Sequence, residues 1–103
     1  MGLTSFNKTI AATATAQQVS TSSFKCHHIL IQADSGNSGA VRVGCADALA
    51  SNKTGFVLPI PQANIYYPPL EIRGGELGND LELSEVYIEG TKDDVVNVIA
   101  FVL

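Results

Sequence analysis

Apolar and polar positions alternate with a period of two through much of this chain. This is the spacing that places successive side chains on opposite faces of a β-strand. The run 24–33 (FKCHHILIQA) carries an apolar centre at Ile29, Leu30 and Ile31. Farther on, Val41, Val43 and Cys45 alternate with Ala40, Arg42 and Gly44. Between the two runs, residues 34–39 consist of Asp, Ser, Gly and Asn, the residue types that build tight turns. Two extended runs around a short Gly/Asn-bearing loop predict a β-hairpin within 22–45. A second alternation sets Ser84, Val86 and Ile88 against Glu85, Tyr87 and Glu89. It is followed by a turn at 90–94 (GTKDD) and by residues 95–103, apolar almost throughout except for Asn97. Such a run suits a central strand covered on both sides. Its valines, isoleucine and phenylalanine argue against the competing helix. Residues 85–103 thus predict a second hairpin.

The pattern is weaker at the N-terminus. The stretch TIAATATAQQVSTSS (9–23) has few large apolar anchors after Phe6 and Ile10. Ala and Gln at 11–18 permit a short helix. Alternation of Ala12, Ala14 and Ala16 with Thr13, Thr15 and Gln17 permits a strand, which the β-branched threonines favour. The reading adopted is an extended N-terminal arm over 1–15, leading into a first strand near 16–21. With little core of its own, the arm is expected to dock on a neighbour or stay mobile. Residues 46–55 read as a polar connection, and 56–60 as a short edge strand closed by Pro59 and Pro61, since proline cannot donate to a ladder. An extended piece at 65–72 is interrupted by Pro68 and Pro69, and the glycines of 73–80 mark a loop. The expectation is one all-β domain over 16–103, a small β-sandwich or jelly-roll-like unit.

At 103 residues the chain is sized for a single core. Apolar residues make up 46% and charged residues only 16%, which suggests that part of the surface meets protein rather than water. The six basic residues are scattered singly in a chain of net charge −4. A basic footprint for nucleic acid, or for an anionic membrane, is therefore not expected. No run is long and apolar enough to span a bilayer, and no leader pattern precedes a cleavage site. Synthesis in a reducing cytosol follows as the simplest expectation, under which Cys26 and Cys45 stay thiols rather than form a cross-hairpin disulfide.

Cys26-His27-His28 is the most tempting chemical cluster. Zinc takes such ligands, but strand alternation would put Cys26 and His28 on one face and His27 on the other. With Cys45 opposite, three ligands could approach, and no fourth is apparent. A Cys-His nucleophile pair would need a cleft and an oxyanion hole that mid-strand residues rarely provide. The glycines of 73–78 follow no phosphate-loop pattern, and 34–39 lacks the spaced acids of a calcium loop. No catalytic residue, metal, cofactor or small-molecule substrate is expected. Ile65, Tyr66, Tyr67, Pro68 and Pro69 form the one exposed-looking apolar and aromatic block. Tyr and a rigid proline segment lose little entropy on docking, so the block reads as either an edge strand on its own core or an interface anchor.

The ordered phrases AQQVSTSS, ILIQADSGNSGAVRVG, ASNKTGFVLPI and NDLELSEVYIEGT together resemble a group of small structural proteins of tailed bacteriophages. The likeness covers about 16–91 and consists of strands and turns, with no active-site residue to carry over. It implies an all-β virion component working as a symmetric oligomer. The role it favours is a capsid decoration or cement protein, a homotrimer bound to the major capsid protein on the capsid exterior after synthesis in the host cytoplasm. Phe6 and Ile10 on the arm, with Tyr66 and Tyr67, would anchor the contacts. A tail or baseplate accessory domain contacting tail proteins or a host receptor is the alternative, and a small hydrolase a distant third.

Overall fold

The strands predicted from periodicity are present, but the chain routes them differently from two hairpins. A computed structural model of the protein describes residues 2–22, 25–45, 55–62, 68–74 and 80–102. The strands are β1 (Gly2–Thr9), β2 (Gln17–Gln18), β3 (Lys25–Ala33), β4 (Val41–Gly44), β5 (Phe56–Leu58), β6 (Leu70–Arg73), β7 (Leu81–Glu82), β8 (Tyr87–Glu89) and β9 (Val95–Val102). They form two antiparallel sheets. The large sheet has the order β1-β9-β3-β6, with β7 also on β3, and the small sheet has the order β2-β8-β4-β5. The result is a small β-sandwich, as the spacing of strands and turns predicts. Its thinnest extent, 20 Å, matches two sheets packed about 10 Å apart with their outer side chains. Among the described residues no helix is long and apolar enough to cross a membrane.

The core comes from the inner faces of both sheets. Ile29, Ile31 and Ala33 of β3 and Val96, Val98 and Ala100 of β9 meet Val41 and Val43 of β4, Leu58 of β5 and Ile88 of β8. Ile10, Val19, Leu83 and Val86 fill in from the connections. Each large aliphatic side chain buried this way contributes roughly 1.5–3 kcal/mol.

Neither predicted hairpin forms. Strand β3 pairs with β9 on one side and with β6 and β7 on the other, while β4 pairs with β8 and β5. With both edges of each strand taken, β3 and β4 cannot pair. Residues 34–40 instead carry the chain across the core from the large sheet to the small one. Likewise β8 lies in the small sheet and β9 in the large one, so 90–94 is a second crossing. The two crossings lie side by side and are stitched together. The Asp94 carboxylate, buried at the joint, accepts from Ser38 N at 2.9 Å, Gly39 N at 3.1 Å and Ser38 Oγ at 3.1 Å. The Asn37 amide grips one residue from both ends: Val95 N donates to Oδ1 at 2.8 Å, and Nδ2 donates to Val95 O at 2.9 Å. These bonds satisfy groups that a crossing would otherwise leave unpaired.

Other local expectations shift too. Residues 2–9 are extended, as read, but the segment set apart as an arm is an integral edge strand: β1 pairs one-to-one with β9 from Gly2↔Val102 to Thr9↔Val95. The strand expected at 16–21 shrinks to β2, and the helix considered at 11–18 gives way to a turn with Ala14 at φ 57°. Leu83–Glu85 is a 3-10 turn rather than the start of a strand; Glu82 caps it by accepting from Ser84 N at 3.4 Å, and its carboxylate also accepts from Ser84 Oγ at 3.1 Å. Strand β9 is central, between β1 and β3, but is covered on one face only. Asn97 and Ile99 are exposed, Val96, Val98 and Ala100 buried.

Candidate functional site

Exposed Phe56 and Val57 lie on β5 at the edge of the small sheet, but the uncovered face of the large sheet is where polar and apolar side chains unused by the core gather in rows. Register fixes which of them are neighbours. Asn7 lies opposite Asn97, and Asn97 opposite Gln32. Ser5, Ile99, Leu30 and Glu71 form the next row, and Leu3, Phe101, His28 and Arg73 the row beyond. Adjacent strands are about 4.8 Å apart, so the first row sets three amide side chains across three strands. A groove of about 500 Å³ opens here, lined by Ser5, Asn7, Leu30, Gln32, Asn97 and Ile99 together with Phe6, Val98 and Pro69.

The chemistry of this groove is hydrogen bonding beside apolar contact. Asn and Gln each offer two donors and an accepting oxygen. Asn97 Nδ2 donates to Asp34 Oδ1 at 3.2 Å, whereas the Asn7 and Gln32 side chains have no hydrogen-bond partner among the described residues. Asp34 also accepts from Gly36 N at 3.0 Å. That backbone bond, and then the Asn97 amide, hold its carboxyl below the ordinary 3.8. Ile99, in the adjoining row, is 39% exposed, and Leu3, in the row beyond, 65%, so apolar area continues along the face from the amides. No titratable side chain lines the groove among the described residues.

At the far end of this face a β-bulge rearranges the Cys-His-His cluster. Cys26 opposes Val102 while His28 opposes Phe101, so the register slips by one residue at His27. A bulge breaks alternation, which reverses the predicted grouping. Cys26 turns into the core, and His27 and His28 come together with Nδ1 atoms 2.7 Å apart, one donating and one accepting. The His28 ring stacks on Phe101 with centroids 4.0 Å apart. Across the sheet Arg73 pairs with Glu71 of its own strand. Among the described residues no three His, Cys, Asp or Glu side chains converge as a metal site would require. Burial, followed by the Glu82 and Asp80 carboxylates, pushes the Cys26 thiol above its ordinary 9.0. Cys45, which the hairpin reading placed near His28, is exposed, and both thiols are free.

The residues expected to anchor an interface divide. Phe6 and Pro69 line the same groove, and Pro68 is exposed beside it in sequence. Ile10 cannot anchor anything outside the molecule, because it is fully buried in the core. The lack of apolar neighbours in its own segment suggested an arm, but its partners come from elsewhere, with Ile10 N donating to Asp94 O at 2.8 Å. Ile65, Tyr66 and Tyr67 lie outside the described residues. Sequence reasoning missed Asn7 and Gln32. The one usable signal was Asn97, a lone polar residue in an apolar run; the register that lines it up with the other two is not written in the sequence.

No family model, curated protein or solved structure matches this chain.

Proposed function

We propose that the protein is a non-catalytic docking module, and that its outer large-sheet face binds a protein assembly. The observation that carries this reading is the groove: two amide side chains without partners among the described residues, with exposed Ile99 in the adjoining row and exposed Leu3 in the row beyond, and no titratable group among the described lining residues. Such a surface offers directional hydrogen bonds and apolar area but no acid, base or nucleophile.

The larger structure proposed for it is a bacteriophage virion, with the major capsid protein as partner and the capsid exterior as location. Two arguments support this. One is the likeness of the ordered strand and turn phrases to small phage structural proteins. The other is topology. We read the order β1-β9-β3-β6 over β2-β8-β4-β5 as that of a jelly roll, an architecture used by viral capsid and lectin domains. This is an analogy of fold alone. On this reading the protein cements the shell by burying the same face at each subunit seam. Several weak contacts made at once by an oligomer hold far better than one.

Co-sedimentation tests the reading. Purified protein is mixed separately with heads and with tails of the particle that carries it. The expected result is binding to heads, weakened on the order of tenfold or more by Leu3→Asp or by combined Asn7→Ala and Gln32→Ala. Binding to tails alone would move the module to the tail or baseplate. Undiminished binding by the variants would remove the proposed face.

A further inference from the structure

The two edges of the large sheet are built differently. Strand β6 is short, at four residues, follows Pro68-Pro69, and carries Glu71 and Arg73. Shortness, proline and charge are the devices that keep an edge from recruiting another strand. Strand β1 has none of them over most of its length. It runs for eight residues without proline, and its pairing to β9 has no bulge. Its single charge, Lys8, comes at the end. Among the described residues β1 has β9 on one side and no strand on the other. Apart from Thr9 O, which accepts from Gln17 Nε2 at 3.1 Å, an unguarded strand of this length presents a row of backbone donors and acceptors that an antiparallel strand would satisfy.

We propose that this edge pairs with the β1 edge of a second copy of the chain, giving a two-fold dimer with one continuous sheet. A second copy fits for three reasons. It brings an edge of the same length that is equally unguarded. A two-fold axis normal to the sheet, passing near Ser5, keeps the two Lys8 residues roughly 20 Å apart by strand rise, beyond the screening length of about 8–10 Å; the −4 charge of each copy resides elsewhere than on this strand. The axis also leaves the outer faces on the same side. Because Ser5 and Asn7 line the groove, the two grooves then lie next to each other on one surface. A head-to-tail ring through the large sheet, the heterologous route to a trimer, would have to use the guarded β6 edge, and the small sheet's edges, β2 and β5, are only two and three residues long. Two-fold pairing therefore replaces the three-fold association implied by the resemblance. The dimer stands whether or not the assembly is a virion.

The test is the mass of the full chain in solution, by light scattering or sedimentation. Wild type is expected at two copies of the 10.9 kDa chain. Ser5→Lys and Ser5→Glu place like charges beside the axis, so each alone is expected to dissociate at concentrations at least tenfold higher than wild type. An equimolar mixture of the two is expected to regain the two-chain mass. Hydrogen exchange of wild type needs no variant: β1 amides are expected to exchange faster on dilution while β3 amides do not change. A wild-type monomer, a three-chain mass, Ser5 variants that associate like wild type, or β1 exchange indifferent to dilution would each overturn the proposal. So would dimers only with a different protein's strand.

Discussion

Two asparagines show how this sandwich divides its polar groups. Asn37, at the crossing between sheets, spends both ends of its amide on Val95, and beside it buried Asp94 gathers the Ser38 and Gly39 donors. Asn97, on the uncovered face, makes a single bond to Asp34, and its row neighbours Asn7 and Gln32 make none among the described residues. At the crossing, polar groups stand in for missing ladder bonds and hold the two sheets together. On the face they leave the fold indifferent and remain available to a partner. Similar chemistry thus serves stability in one place and, on the proposed reading, recognition in the other.

The contrast can be broken most severely at Asp94. Asp94→Ala strands three donors in a buried joint and should cost about 3 kcal/mol, read from the urea midpoint. The Asn7→Ala, Gln32→Ala pair should stay within about 0.5 kcal/mol of wild type. Equal costs for the two would erase the distinction. Gly90→Ala comes next. Its Cβ would lie 2.7 Å from Ile10 Cδ1 and 3.4 Å from Val41 Cγ2. Ile10 is fully buried and has little room to yield, so a loss of about 1–3 kcal/mol is expected. A glycine-like stability would show the crossing to be loosely packed.

Thiol labelling compares core and surface without mutation. Exposed Cys45 should react at once and buried Cys26 on the order of a hundredfold more slowly, following opening of the fold. Because the Cys26 pKa is raised, its contribution to stability is full below the unfolded value and declines as pH rises through 9.0 and beyond. The smallest effect is at Asp34. Its pKa is lowered, so the stability it gives is present above 3.8 and is lost as pH falls below that value toward the folded one. Asn97→Ala removes one of the two stabilising bonds and should shift that acid loss slightly upward in pH.

Period-two alternation is enough to read β3, β4 and β8, a nearly continuous apolar run is enough to read β9, and turn residues are enough to place the breaks. What periodicity cannot say is whether a turn folds a strand back beside its neighbour or carries it across the core. A hairpin and a crossing use the same Asp, Asn, Ser and Gly, and both bury alternate residues. The choice lies with distant strands: β9 and β6 occupy the two edges of β3 and leave none for β4. The N-terminal segment follows the same rule. Gly2–Thr9 looks coreless in isolation and becomes ordered only against β9, near the other end of the chain. The site was less legible than the fold. Its amide row exists only in the register of β1, β9 and β3, and the His27–His28 pair only because a bulge breaks the alternation that the sequence suggests.

The central claim is that the β1-β9-β3 face is the one that docks. Electron microscopy of the particle that carries this chain, at a resolution that separates strands, tests it most directly. If that face docks, sandwiches on the capsid exterior will have Asn7, Asn97 and Gln32 turned toward the shell. Density placing the small sheet against the shell, with the amide row facing solvent, would contradict it.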